Sequence, residues 1–134
     1  GVAHGPHPRD YSYALPRKAL RVAARAAIAG KFRDEEVAFV DSLGFEKPST
    51  KQAAAMLAKL GIERTCLVVT AEHDENVYKS MRNLPGVRIM PASDVNAHEV
   101  LRHRNLLLTQ ESYDALRKRL AAKPHAGAGE ASDD

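Results

Sequence analysis

The sequence is poor in the residues that cross-link a fold or anchor it in a membrane. Its 134 residues include no tryptophan and a single cysteine, Cys66, and aromatic residues make up only 5% of the chain. One cysteine excludes a disulfide framework and a cysteine-based zinc site. No apolar run reaches membrane-spanning length, and the first residues lack the apolar core of a secretory signal peptide. We therefore expect a cytoplasmic protein with one domain.

Positive charge, in contrast, is concentrated in one part of the chain. Residues 1–33, the basic segment, contain seven basic residues and one acidic residue, a net charge of +6, whereas the whole chain carries +3. The rest of the chain is therefore net negative. The charge is a property of one segment and not of the molecule as a whole.

The basic segment divides into two parts. In residues 1–13, Pro6 and Pro8 restrict the backbone and no helical apolar period occurs, which predicts an extended arm. Residues 15–29 consist mostly of strong helix formers, and Pro16 suits the first turn of a helix. We predict a helix there, followed by a charged link over residues 30–36.

The predicted helix separates basic from apolar side chains. At about 100° per residue, the basic side chains fall in one stripe roughly 100° wide. This basic stripe consists of Arg17, Lys18, Arg21 and Arg25. The opposite side, which we expect to pack on the rest of the protein, holds Ala19, Leu20, Ala23, Ala24 and Ala27.

A basic arm that leads into a basic helix face is typical of a protein that binds a nucleic-acid backbone. Arg9 lies near Tyr11 and Tyr13, whose rings can stack on bases or riboses. The alternatives are a solvated helix face and a site for an acidic protein. Acidic residues that would normally interleave on a solvated face are missing here, which favours nucleic acid.

The remainder of the chain alternates short apolar runs with helical patterns. The runs predict strands at residues 37–40, 66–69, 87–90 and 106–108, and Ser49, Asn96 and Thr109 stand where helix N-caps are expected. Such alternation requires crossover connections. The predicted fold is therefore α/β, a mainly parallel four-stranded sheet with helices on both faces, in three layers like a Rossmann fold but without a nucleotide motif.

This pattern divides the chain into three regions. Residues 1–13 are the predicted RNA-binding arm, and residues 14–121 form the α/β domain. Residues 122–134 are small and polar, with acids at the end, and we expect them to form a disordered acidic tail.

Two acidic residues allow an alternative function as a small Mg-dependent or nucleotide-binding enzyme. Asp41 follows the first strand and Asp74 comes shortly after the second, so adjacent strands would bring them together around Mg²⁺. The ordinary explanation, Asp74 as a helix N-cap and Asp41 at a solvated strand end, is the one we favour. No nucleophile, glycine-rich phosphate loop or general base accompanies the two acids, so we expect no enzymatic activity.

The histidines and the cysteine do not indicate a metal site. His4 and His7 are three residues apart but lack a third ligand, and we expect them to be partners of phosphate. Cys66 lies within an apolar run and is predicted to be a buried core residue. No metal or other cofactor is expected.

Several motifs carry a resemblance to a known family. The stretch over residues 5–18, GPHPRDYSYALPRK, resembles the GPxPRxYxYxLPKK signature of the bacterial large-subunit ribosomal protein L4 family. Residues 80–85 resemble its SxRNLP segment, and residues 48–51 match its PxTK. Residues 101–103 with residues 106–109 resemble its LLRH and LVLT stretches.

This resemblance implies an α/β domain bound to large-subunit ribosomal RNA beside neighbouring ribosomal proteins, with a role in subunit assembly and no enzymatic activity. Some family members also bind their own messenger leader. The motif positions imply RNA contacts at Pro8, Arg9, Tyr11, Ser12, Tyr13, Arg17, Lys18, Arg82 and Asn83. The predicted set also includes His4, His7, Arg21 and Arg25, which were identified from charge and spacing, and Lys51, which the PxTK match implies.

The resemblance also implies that this chain lacks an N-terminal part that other members of the family have. Members of the family carry an N-terminal strand and helix, and then a long basic loop that reaches the peptide exit tunnel, before the signature. We expect this chain to lack that N-terminal segment and most of the loop. Its sheet would then be one strand short and would expose an edge that can pair wrongly.

Overall fold

The structure, a computed structural model, describes residues 1–121, and the predicted tail of residues 122–134 lies outside them. Residues 1–16 contain no helix or strand. The elements that follow are α1 (Arg17–Arg33), β1 (Val37–Val40), α2 (Thr50–Lys59), β2 (Cys66–Thr70), α3 (Glu75–Met81), β3 (Val87–Pro91), α4 (Ala97–Arg102), β4 (Asn105–Thr109) and α5 (Gln110–Leu120).

The four strands form one parallel sheet in the order β1-β4-β2-β3. Val37 of β1 pairs with Leu106 of β4, and Cys66 of β2 pairs with Asn105 of β4 and with Val87 of β3. Each strand lies at or within one residue of its predicted position. The predicted α/β fold with a parallel four-stranded sheet is confirmed.

Alternate residues of the strands face two separate cores. Leu67 and Leu106 point towards α1, α4 and α5, whereas Cys66 and Leu107 point towards α2 and α3. Helices therefore cover both faces, as predicted for a three-layer fold. Burial raises the pKa of the Cys66 thiol to about 12, so this residue is a core side chain and not a reactive thiolate.

The predicted caps are present, and one of them connects two helices. The Ser49 hydroxyl accepts the backbone N–H of Gln52, and the N–H of Ser49 donates to the Ser80 hydroxyl at 3.0 Å. Ser80 in turn donates to the carbonyl of Asn76 at 2.6 Å and is fully buried. Ser80, the first residue of the SxRNLP segment, thus ties the start of α2 to α3.

Helix α1 is longer than predicted. It continues through Gly30 to Arg33, so the expected link over residues 30–36 is wrong for its first half. Lys31 in the last turn is buried, with its Nζ 2.6 Å from Glu36 Oε2 and 2.9 Å from the carbonyl oxygen of Arg104. These bonds hold the last turn against the start of β1.

Less of α1 packs than predicted. Its buried residues are Ala24, Ala27 and Lys31, whereas Leu20 is 52% exposed. Residues 17–23, its first two turns, are all exposed, and Leu20 and Ala23 only line an open cavity beside the start of α4. The expected burial of Ala19, Leu20 and Ala23 is therefore wrong.

The two outer strands pair on one side only within the described residues, β1 with β4 and β3 with β2. Phe39 of β1 forms an aromatic cluster with Phe32 and Tyr113, with ring centroids about 6 Å apart. None of the helices described is long and apolar enough to cross a membrane. That the sheet is one strand short stays a prediction.

Candidate nucleic-acid interface

The arm presents its aromatic and basic side chains to solvent. The Arg9 guanidinium lies 4.4 Å from the centre of the Tyr11 ring, a cation–π contact, and Tyr11 and Tyr13 are 75% and 80% exposed. Asp10, the one acid of the basic segment, accepts the backbone N–H of Ser12 at 2.8 Å. Hydrogen bonding from Ser12 lowers the pKa of Asp10. His4, His7 and Pro8 are exposed in the same segment.

The basic stripe of α1 has no acidic partner in the part of the chain that the structure describes. Its four side chains are exposed, and none of them forms an ion pair with an acid among residues 1–121. No acidic residue occupies the first turn of α1, and Pro16 offers no side-chain cap. Arg17 and Lys18 therefore lie at the positive end of the helix dipole without a compensating anion.

Lys31 belongs to the basic segment by sequence but not to the exposed surface. Its side chain is buried between Glu36 and the Arg104 carbonyl, as described above. The exposed charge of the segment is thus one unit smaller than the sequence suggests. Arg33 remains exposed at the end of the helix.

The remaining predicted contacts lie on the other side of the sheet. Lys51 is exposed in the first turn of α2, and Arg82 and Asn83 are exposed at the end of α3. The Arg82 guanidinium lies 5.8 Å from the centre of the Tyr78 ring. Since α2 and α3 cover the face opposite α1, the structure does not bring these three residues together with the basic stripe.

Sequence reasoning missed a further group of exposed basic residues. Arg64, Arg102 and Arg104 line one groove of about 600 Å³ at the amino ends of the strands. Arg102 and Arg104 lie two residues apart, whereas Arg64 lies in a distant loop, so no local spacing links the three. They come together because β2 pairs with β4, and the sequence alone does not show that pairing.

The carboxyl ends of the strands do not assemble the alternative Mg²⁺ site. Strand β4 lies between β1 and β2, so the strands that precede Asp41 and Asp74 are not neighbours, although both residues line one open cavity of about 610 Å³ at this edge of the sheet. Asp74 Oδ1 accepts the backbone N–H groups of Asn76 and Val77 at 2.8 and 3.2 Å, as an N-cap does. In the part of the chain that the structure describes, no three His, Cys, Asp or Glu side chains are placed to hold a metal ion.

Comparison with known proteins gives consistent matches. A family model described as the ribosomal protein L4/L1 family matches residues 1–119. The large ribosomal subunit protein uL4 of Moorella thermoacetica is 43% identical over 120 residues, which make up 90% of this chain and 58% of that protein. The uL4 protein of Symbiobacterium thermophilum is 41% identical over 112 residues, 84% of this chain and 54% of that protein. The chain spans little more than half the length of these curated relatives.

Proposed function

Because the chain belongs to the ribosomal protein L4/L1 family, as its motifs predicted, we propose that it is a structural, non-enzymatic component of the large ribosomal subunit that binds large-subunit ribosomal RNA. In this proposal residues 1–13 are the RNA-binding arm and residues 14–121 are the α/β domain that carries it. The protein works on the ribosome in the cytoplasm, next to other ribosomal proteins, and supports subunit assembly.

The single observation that carries the proposal is the lack of acidic partners for the basic stripe within the described residues. Among residues 1–121, Arg17, Lys18, Arg21 and Arg25 have no carboxylate within ion-pair distance. Four exposed cations on one helix repel one another, and a phosphate backbone relieves that repulsion while releasing its counterions. The stripe is therefore suited to a polyanion.

The start of α1 adds a directional contact. Its first backbone N–H groups lack a side-chain cap, and a phosphate oxygen can accept hydrogen bonds from them. Arg17 and Lys18 lie beside this helix end. An RNA phosphate at this point interacts with the uncapped N–H groups, the helix dipole and two cationic side chains.

The arm supplies contacts of a second type. Arg9 already stacks on Tyr11, and the exposed Tyr13 ring is available for stacking on an unpaired base. The family motif places Pro8 and Ser12 beside these residues. The arm thus adds base or ribose contacts to the phosphate contacts of the helix. In this proposal Lys51, Arg82 and Asn83 contact RNA on the opposite side of the sheet, at α2 and α3.

The experiment is a salt titration of binding to transcribed large-subunit ribosomal RNA. The triple variant Arg17→Glu, Arg21→Glu and Arg25→Glu should lower the affinity and reduce the magnitude of the slope of log K against log salt by about 2.5, because each phosphate contact contributes about 0.7–0.9. An exposed control carries the same change in charge, Lys47→Glu, Lys59→Glu and Lys118→Glu.

The two variants separate specific contacts from net charge. If both weaken binding equally, or if the stripe variant keeps the wild-type slope, the stripe is not the RNA-binding surface. Nuclease-sensitive co-sedimentation of the protein with large ribosomal subunits tests the wider proposal independently. Association that survives nuclease treatment would point to a protein partner instead of RNA.

A further inference from the structure

The groove at the amino ends of the strands joins three separate parts of the chain. Arg64 lies in the loop before β2, whereas Arg102 ends α4 and Arg104 lies in the loop before β4. Because β2 and β4 are neighbours in the sheet, the loops that lead into them are adjacent. Lys31, in the last turn of α1, also lines the groove.

The backbone that carries these arginines is held from two sides. The N–H of Arg104 donates to the Thr65 hydroxyl at 2.9 Å, and the N–H of Asn105 donates to the Thr65 carbonyl at 2.9 Å. The carbonyl of Arg104 accepts from Lys31 Nζ at 2.9 Å. The loop before β4 is thus fixed to the loop before β2 and to α1, so the groove is an organised feature of the fold.

The charges in the groove do not cancel. Glu36 is the only carboxylate among the described residues that line it, and Lys31 pairs with its Oε2 at 2.6 Å. The Nε of Arg104 lies 3.6 Å from Oε1 of the same residue. Arg64 and Arg102 have no acidic partner among residues 1–121 and are exposed. The groove therefore keeps an excess of guanidinium groups that face solvent.

From the convergence of Arg64, Arg102 and Arg104 on this fixed loop pair, we propose that the groove is a second phosphate-binding surface for RNA, separate from the arm and the basic stripe. This inference rests on the proposed function for its ligand. Planar guanidinium groups bind phosphate oxygens in a bidentate manner, and three of them can engage successive phosphates of one strand.

Lys31 is a positioning residue in this arrangement. It is buried and donates to the Arg104 carbonyl, so it fixes the loop that carries Arg104 without contacting RNA itself. It also neutralises Glu36, which would otherwise repel a phosphate. Lys31, a residue of the basic segment, therefore stabilises the backbone of the second surface without being part of that surface.

The test uses the double variant Arg64→Gln and Arg102→Gln in the full chain, with transcribed large-subunit ribosomal RNA as the probe. Neither side chain has an internal acidic partner among residues 1–121, so the variant should unfold at the wild-type temperature. The affinity for RNA should fall at least about tenfold near 0.1 M salt, and the magnitude of the salt slope should fall by about 1.5, since each phosphate contact contributes about 0.7–0.9.

A matched control removes two positive charges elsewhere, Lys47→Gln and Lys118→Gln, both exposed and outside the groove. If the groove variant binds RNA as this control does, while the stripe variant is impaired, the second surface is refuted and the proposed function stands. If the wild-type protein shows no salt-dependent RNA binding, both proposals fail together. A groove variant that loses both affinity and slope relative to the control supports the inference.

Discussion

At the scale of single residues, the pair Lys31 and Glu36 shows how a basic residue can be structural within an RNA-binding segment. Their side chains lie 2.6 Å apart at the junction of α1 and β1. The hydrogen bond from Lys31 lowers the pKa of Glu36, and the charges of Lys31 and Arg104 lower it further. The carboxylate is therefore stabilised in its charged form when the chain is folded.

This pair predicts a specific pH dependence of stability. Because the pKa of Glu36 is lower in the folded chain than in the unfolded one, its contribution is present above about pH 4.3, the unfolded pKa, and is lost as the pH falls through the folded pKa. Glu36→Gln should lower the free energy of unfolding in urea at pH 7, and the loss should shrink towards pH 3. The exposed control Glu46→Gln should change little at pH 7. A loss from Glu36→Gln that is equal at both pH values would contradict the assigned pairing.

At the scale of secondary-structure elements, helix caps explain residues that could be mistaken for a catalytic site. Asp74 caps α3 through two backbone N–H groups, and Asp41 follows β1 in an exposed position. Asp74→Ala should lower the free energy of unfolding by about 1 kcal/mol, whereas Asp74→Asn keeps the cap and should change it far less. Asp41→Ala is the matched surface control and should stay within about 0.5 kcal/mol.

The same variants separate the structural role from the enzymatic alternative. Urea unfolding measures stability, and filter binding measures the affinity for RNA. If Asp74→Ala and Asp41→Ala both abolished a phosphatase or nucleotide-binding activity of the wild-type protein, the cap would not be an adequate account of Asp74. We expect RNA binding to be unchanged in both variants, because neither side chain lies on the basic stripe, the arm or the groove.

The elements also show what the sequence could predict. The strands and the caps at Ser49, Asn96 and Thr109 depend on local patterns, so their positions were predictable within about one residue. The order of the strands depends on pairing between distant segments, such as Val37 with Leu106, and no local pattern encodes it. For that reason the sequence left open whether Asp41 and Asp74 meet.

Long-range contacts also limited the prediction of the site. The partner of Lys31, the carbonyl of Arg104, lies 73 residues further along the chain, so the sequence could count Lys31 in the net charge of the segment but could not show that it is buried. The exposure of Leu20 depends on how α1 packs beside α4, which periodicity does not show, so the helical period alone placed Leu20 on the packed side. In contrast, the basic stripe was predictable because four cations on one helix face need only the helical period.

At the scale of the whole molecule, charge and burial are divided between two regions. No residue before Ala24 is buried, so the arm and the first turns of α1 contribute little to the core, while they carry Arg9 and the basic stripe. Both hydrophobic clusters are built from Ala27 and later residues. RNA binding and folding stability should therefore be separable by removing the arm.

Removal of residues 1–13 should leave the free energy of unfolding unchanged within error, because none of them is buried. Affinity for large-subunit ribosomal RNA should nevertheless fall at least about tenfold, since stacking of one base on an aromatic ring contributes about 1–3 kcal/mol. The salt slope should decrease by only about 0.7–0.9, because Arg9 is the one permanent cation side chain lost. Tyr11→Leu with Tyr13→Leu should reproduce the loss of affinity without the change in slope. A truncated chain that binds RNA like the full chain would show that the arm is not part of the interface.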